Sequence, residues 1–228
     1  MRHKMKIKGA IFDMDGTLIN SLIVWSDIWA SVAKKYHCEE EDFPGREIDL
    51  KLRTMTLIEG MELLHKEKGI GRDGRELWEY CTSLIEDFYR NKVEMKPGAM
   101  EFLKYLHDNN VKMCIASASA LDMVEVAVER CELGKYIPKL LSSCDYGCGK
   151  DKPDVYLGAL EYLGTPIEET WVFEDSLVAL KTAKGIGMPV VGIYDAYNFG
   201  HEEMEKLADF YIDDGEGLDK LIETKVFE

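Results

Sequence analysis

The sequence predicts an α/β protein: a parallel sheet covered by helices on both faces, interrupted early by an all-helical insert. Three observations carry this expectation. From residue 93 onward, short apolar runs alternate with amphipathic segments, the rhythm of strands joined by crossover helices. Between residues 20 and 92 only helical periodicity occurs, with no strand pattern. The apolar runs also stop at reactive polar groups, and in open parallel sheets ligands gather at the carboxyl ends of strands.

The first strand is expected at "KIKGAIF" (6–12), ending where the carboxylates Asp13 and Asp15 begin. A helix follows from Ser21, because Leu22, Trp25, Trp29, Val32 and Tyr36 recur at steps of three and four. Charged, helix-forming sequence continues through "LKLRTMTLIEGMELLHKEKG". Gly69, Gly71 and Gly74 are read as its break, and "RELWEYCTSLIEDFYRN" resumes it. Pro97 marks the start of the next helix and Asn109–Asn110 its end. Five further strands are then expected in "VKMCIA", "PKLLSS", "TWVFED", "PVVGIY" and "DFYID". Helices between and after them are expected in "ALDMVEVAVERC", "PDVYLGALEYLG", "SLVALKTAKGIG", "HEEMEKLA" and "GLDKLIE". The domain boundaries that result are 1–19 with 93–228 for the α/β core and 20–92 for the helical insert.

The chain has 228 residues, enough for a core domain plus a smaller insert. Hydrophobic content of 46% with 31% charged residues fits a globular protein. A net charge of −15 repels nucleic acid and anionic membrane, so neither is an expected partner. An anionic substrate would need a local lysine, arginine or metal ion. The six cysteines form no C-x-x-C pair, and Cys144 and Cys148 have no histidine nearby, which argues against zinc. The basic N-terminus has too short an apolar stretch for a signal peptide, and no run approaches membrane-spanning length. A reduced, cytoplasmic monomer is expected.

The strand ends carry the chemistry. Asp13 and Asp15 close the first strand, Ser117 the second, and Glu174 and Asp175 the fourth, while Lys150 and Lys152 follow the third. Gly16 and Thr17 add a sharp turn and a hydroxyl beside the first pair. Carboxylates converging on one point call for a hard divalent cation, and oxygen-only ligands suit Mg2+. With a lysine and a hydroxyl added, such a cluster cradles a phosphoryl group. An aspartate can attack phosphorus directly, and a second carboxylate can act as general acid and then base.

The stretches "DMDGT", "CIAS", "GKDKPD" and "VFEDS" resemble the four motifs of the haloacid dehalogenase superfamily, in order and across essentially the whole chain. The helical stretch after the first strand resembles the subfamily with a helical cap at that point. The resemblance implies a Rossmann-like parallel sheet core with an inserted all-helical cap domain. It also implies Asp13 as nucleophile, Asp15 as acid/base, and Ser117 and Ala118 as the phosphate-binding residues. Mg2+ would be held by Asp13, Asp15 through its backbone carbonyl, Glu174 and Asp175. The family's motif lysine aligns with Lys150, and Lys152 is the alternative. Ala179 stands where glycine is frequent, and Asn20 where many relatives have aspartate.

Asp15 argues for phosphoryl transfer, because the dehalogenase branch lacks it. The implied activity is a Mg2+-dependent phosphatase for a small phosphorylated metabolite, a sugar or polyol phosphate, acting through an aspartyl-phosphate. The alternative is a sugar phosphomutase of the β-phosphoglucomutase type. That mutase has a histidine early in its first cap helix, near the position of Trp25. A phosphonoacetaldehyde hydrolase would need a cap lysine, for which Lys34, Lys35 and Lys51 are candidates. A non-turnover phospho-acceptor or binding protein is the reading from a different class. Arg46, Arg53, Trp25, Trp29 and Trp78 are candidates for the substrate-selecting surface, with core packing the better explanation of Trp29.

Overall fold

The computed structural model describes residues 5–38, 42–52 and 56–227. The strands are β1 (Gly9–Phe12), β2 (Lys112–Ser117), β3 (Leu140–Ser142), β4 (Thr170–Glu174), β5 (Val190–Ile193) and β6 (Phe210–Ile212). The helices up to the second strand are α1 (Val24–Tyr36), α2 (Arg46–Leu52), α3 (Leu57–Lys68), α4 (Gly74–Asn91) and α5 (Ala99–Asp108). Those after it are α6 (Leu121–Arg130), α7 (Asp154–Leu163), α8 (Leu177–Gly185), α9 (His201–Leu207) and α10 (Lys220–Glu223). The chain separates into two compact units, Met1–Leu22 with Val93–Glu228, and Ile23–Lys92.

The six strands form one sheet in the order β3-β2-β1-β4-β5-β6, and every pairing is parallel. The chain first builds outward from β1 through β2 to β3, then crosses back to place β4 on the other side. That reversal between β2 and β4 opens a crevice at the carboxyl end of β1. Strand periodicity of two sends Ile11 and Phe12 to opposite faces. Ile11 joins Cys114, Val172, Val190 and the α7 and α8 residues Val155, Ala159 and Leu180 in one core. Phe12 stacks on Phe173 at 4.4 Å, with Phe102 and Phe227 completing an aromatic cluster. The ladder of β1 begins not at Lys6 but at Gly9, the first residue in register with both β2 (Lys112) and β4 (Thr170).

In the second unit, three local expectations shift. The buried face of α1 is Val24, Ile28, Trp29 and Val32, leaving Trp25 half-buried, because the helix packs against α4 on that side. The helical run after residue 50 is two helices, since Thr56 opens α3 with a capping box. Its hydroxyl accepts from Glu59 N (3.4 Å), and the Glu59 carboxylate accepts from Thr56 N (3.0 Å). Gly74 opens α4 instead of breaking a helix. Asp73 caps that helix by accepting from Glu76 N (2.8 Å), and a Cβ on Gly74 would come within 2.6 Å of Glu62 Cα. In the first unit, α5 begins at Ala99, two residues past Pro97, after Gly98 turns through φ +70°. No helix of the described residues is long and apolar enough to cross a membrane.

Candidate active site

The site forms where β1 and β4 lie side by side. Asp13 N donates to Phe173 O (2.9 Å), which extends the ladder one step and sets Asp13 beside the end of β4. Beyond it the chain coils tightly, with Met14 O accepting from the amides of Thr17, Leu18 and Ile19. Gly16 makes this turn possible at φ +82°, where a Cβ would collide with the Asp175 carboxylate. Thr17 Oγ1 donates to Asp175 Oδ1 (3.1 Å), tying the turn to the β4 end.

Asp13, Glu174 and Asp175 are all buried, and they present oxygens within 4.8 Å of one another. Lys150 reaches in from the loop before α7 and donates to Asp13 Oδ1 and to Glu174 Oε1 (2.5 Å). Lys150 is 8% exposed, whereas Lys152 is exposed, so only the former meets the carboxylates. Tyr156 on α7 also donates to Glu174 Oε1 (2.8 Å). Asn198 donates to Asp175 Oδ2 (2.5 Å) and to its backbone carbonyl (3.1 Å). Asp13 Oδ2 is buried without any hydrogen-bond partner.

These placements set the charge states. Burial pushes Asp13 up to about 6, against the pull of Lys150 and with Glu174 adding to the rise. Burial, followed by repulsion from Asp13 and Glu174, holds Asp175 well above the usual carboxylate range. Burial works against the Lys150 charge, but Asp13 and Glu174 outweigh it and hold the ammonium above the ordinary lysine range. One ammonium against three buried carboxylates leaves a deficit of positive charge. The donor set is all oxygen, and Asp13 Oδ2 points to no protein donor. A hard divalent cation fits both facts.

Asp15 stands apart from this cluster. It is half-buried, and its carboxylate accepts from Ser21 Oγ (2.7 Å) and Ser119 Oγ (2.8 Å). Ser21 therefore belongs to the site turn and lies outside helix α1. Ser117 is fully buried at the end of β2, and its Oγ accepts from Ser119 N (3.0 Å). It does not cap α6, whose N-cap is Ala120. Ala118 is exposed in the same loop. Sequence reasoning missed Ser119, Tyr156 and Asn198. Ser119 was signalled by its closeness to Ser117, but Tyr156 reads as part of an apolar helix stripe and Asn198 as ordinary loop.

The remaining candidates lie in the second unit. Trp29 is buried, its indole N–H donating to Asp49 Oδ1 (3.1 Å), while Trp78 is half-buried and Arg46 exposed. Arg53 lies outside the described residues. Of the lysines, Lys35 sits over the Tyr80 ring at 3.7 Å and Lys51 pairs with Glu47 at 2.8 Å. Lys34 is exposed.

Residues 7–187 match the family model described as haloacid dehalogenase-like hydrolase. A Drosophila melanogaster protein named "Probable pseudouridine-5'-phosphatase" is 31% identical over 201 residues, covering 83% of each chain. The Thermotoga maritima "Phosphorylated carbohydrates phosphatase" is 25% identical over 202 residues, covering 87% of this chain and 91% of its own. Among solved structures, a Thermotoga maritima protein described as "putative beta-phosphoglucomutase" superposes with a TM-score of 0.80 at 23% identity, covering 95% of this chain and 99% of that one. At that identity the likeness speaks for the fold. The motif order, the carboxylate cluster at the β1/β4 crevice and the family match agree, and the chain belongs to the haloacid dehalogenase-like hydrolases.

Proposed function

We propose that the protein is a Mg2+-dependent phosphatase that hydrolyses a small phosphorylated metabolite, a sugar or polyol phosphate, through an aspartyl-phosphate on Asp13. The observation that carries this reading is the state of Asp13. One oxygen is pinned by Lys150, the other is unpartnered, and Glu174 and Asp175 stand beside it. Asp13, Glu174, Asp175 and the Asp15 backbone carbonyl would hold Mg2+. When bound, the ion offsets negative charge on the carboxylates and on the transferring phosphoryl group.

Asp13 attacks phosphorus, forming an oxygen–phosphorus bond as the ester oxygen leaves and takes a proton from Asp15. The Asp15 carboxylate then removes a proton from water, which attacks the phosphoryl group, releases phosphate and restores Asp13. Ser21 and Ser119 orient Asp15 for both transfers. Lys150 steadies the Asp13 carboxylate and the equatorial oxygens, and Ser117 and Ala118 bound the phosphate pocket. A screen of Mg2+-dependent phosphate release over sugar, polyol and nucleoside phosphates tests the reading. Release that survives in Asp13→Asn, or in excess chelator, refutes it.

A mutase reading rests on the likeness to the β-phosphoglucomutase fold. Against it, Trp25 stands near the position where that mutase has a histidine, and an indole N–H is a donor only.

A further inference from the structure

Asp175 is gripped from a loop that none of the sequence motifs covers. We propose that Asn198 is a positioning residue for the metal site: it fixes the Asp175 carboxylate so that the oxygen lone pairs left over face Asp13 and Glu174. This inference rests on the magnesium reading above.

The geometry is specific. Asn198 Nδ2 donates both to Asp175 Oδ2 (2.5 Å) and to Asp175 O (3.1 Å). A backbone carbonyl can only accept, so the amide orientation is determined by that contact. One amide thus ties the carboxylate to its own main chain and locks the side-chain torsions between them. Thr17 holds the other oxygen. A carboxylate oxygen offers more than one lone pair, so each Asp175 oxygen can keep its donor and still face a cation.

The loop behind Asn198 is itself braced. Asn198 N donates to Asp195 O (3.0 Å), and Asn198 O accepts from His201 Nε2 (3.1 Å). Asp195 is 2% exposed, accepts from Tyr197 N (2.9 Å) and is paired with Lys96 at 2.7 Å. Lys96 also donates to Tyr194 O (3.3 Å). An ion pair on a buried aspartate and two bonds to the Asn198 main chain are more than a surface turn needs. Without such a strut, Thr17 alone would hold the Asp175 side chain against repulsion from two neighbouring carboxylates. With it, the three carboxyl groups stay aimed at one point until a cation arrives. Outer donors of this kind typically contribute 10–100-fold to metal affinity.

The test is a Mg2+ titration of the intact protein followed by thermal shift, in parent, Asn198→Ala and Asn198→Ser. Asn198 is only half-buried, so neither truncation opens a large void. The expected result is a Mg2+ midpoint raised about 10–100-fold in both variants. The Mg2+ dependence of phosphate release should be displaced by the same factor, with most of kcat recovered at saturation. A lower metal-free Tm with the Mg2+ midpoint within about twofold of the parent would mark Asn198 as a fold residue only and overturn the proposal. If the parent itself shows no saturable Mg2+ shift, the magnesium reading fails first and takes this inference with it.

Discussion

Replacing Lys150 by methionine separates what the lysine does for the fold from what it does for the reaction. Its ammonium is buried between Asp13 and Glu174. Removing it leaves two buried carboxylates facing each other. Breaking a buried pair from one side costs about 3–5 kcal/mol, a large part of the ~5–15 kcal/mol that holds a domain folded. The loss should depend on pH in a defined direction. Asp13 stands at about 6 with the lysine present, so its charge, and the repulsion it brings, vanish as pH falls through that value. In the variant the same change occurs at higher pH, because the lysine's lowering pull is gone. Denaturant melts should therefore show a larger deficit at pH 8 than at pH 5. Added Mg2+ should restore stability by supplying positive charge. It should not restore the rate, since the Nζ donor proposed for the transferring phosphoryl group is still missing. Loss of one preorganised donor costs ~10²–10³ in kcat. Lys152→Met, at an exposed position, should change stability by less than about 0.5 kcal/mol. A Lys150→Met enzyme within tenfold of parental kcat, or a larger loss in Lys152→Met, would refute the reasoning.

Gly16→Ala places a Cβ against the Asp175 carboxylate at φ +82°, and backbone strain of ~1–2 kcal/mol adds to overpacking of ~1–3 kcal/mol. Urea melts should show the sum, and a loss below about 1 kcal/mol would mean that the turn relaxes freely. Because burial raises Asp13 to about 6, a proton competes with the cation there. The thermal shift given by a fixed, subsaturating Mg2+ concentration should thus grow as pH rises through 6, and a flat profile from pH 5 to 8 would contradict the assignment of Asp13 as a ligand. With glucose 1,6-bisphosphate supplied as primer, free phosphate should exceed interconversion of β-glucose 1-phosphate and glucose 6-phosphate. Rapid isomer exchange with negligible phosphate would promote the mutase instead.

Local pattern alone was enough for the alternation of strands and helices, for the reactive ends of the strands, and for the family. Each is written in neighbouring residues: an apolar run such as "VKMCIA" must be buried whatever surrounds it, and "FDMDGT" carries its turn and its carboxylates together. Helix starts were less legible where a side chain had a second use. Ser21 looked like the beginning of α1 but donates to Asp15, and Gly74 looked like a breaker but fits against Glu62. The tertiary structure shows what parts Lys150 from Lys152 physically. Motif alignment favours Lys150 but leaves Lys152 as an alternative, and the two part once one is paired with a carboxylate 137 residues away and the other faces water. Tyr156 and Asn198 were invisible for the same reason. Their work is to satisfy Glu174 and Asp175, from a helix stripe and a loop that no motif marks. A hydrogen bond to a buried carboxylate depends on which atoms folding brings within 3 Å, and that is decided by the crossing of β4 back to β1 rather than by any spacing along the chain.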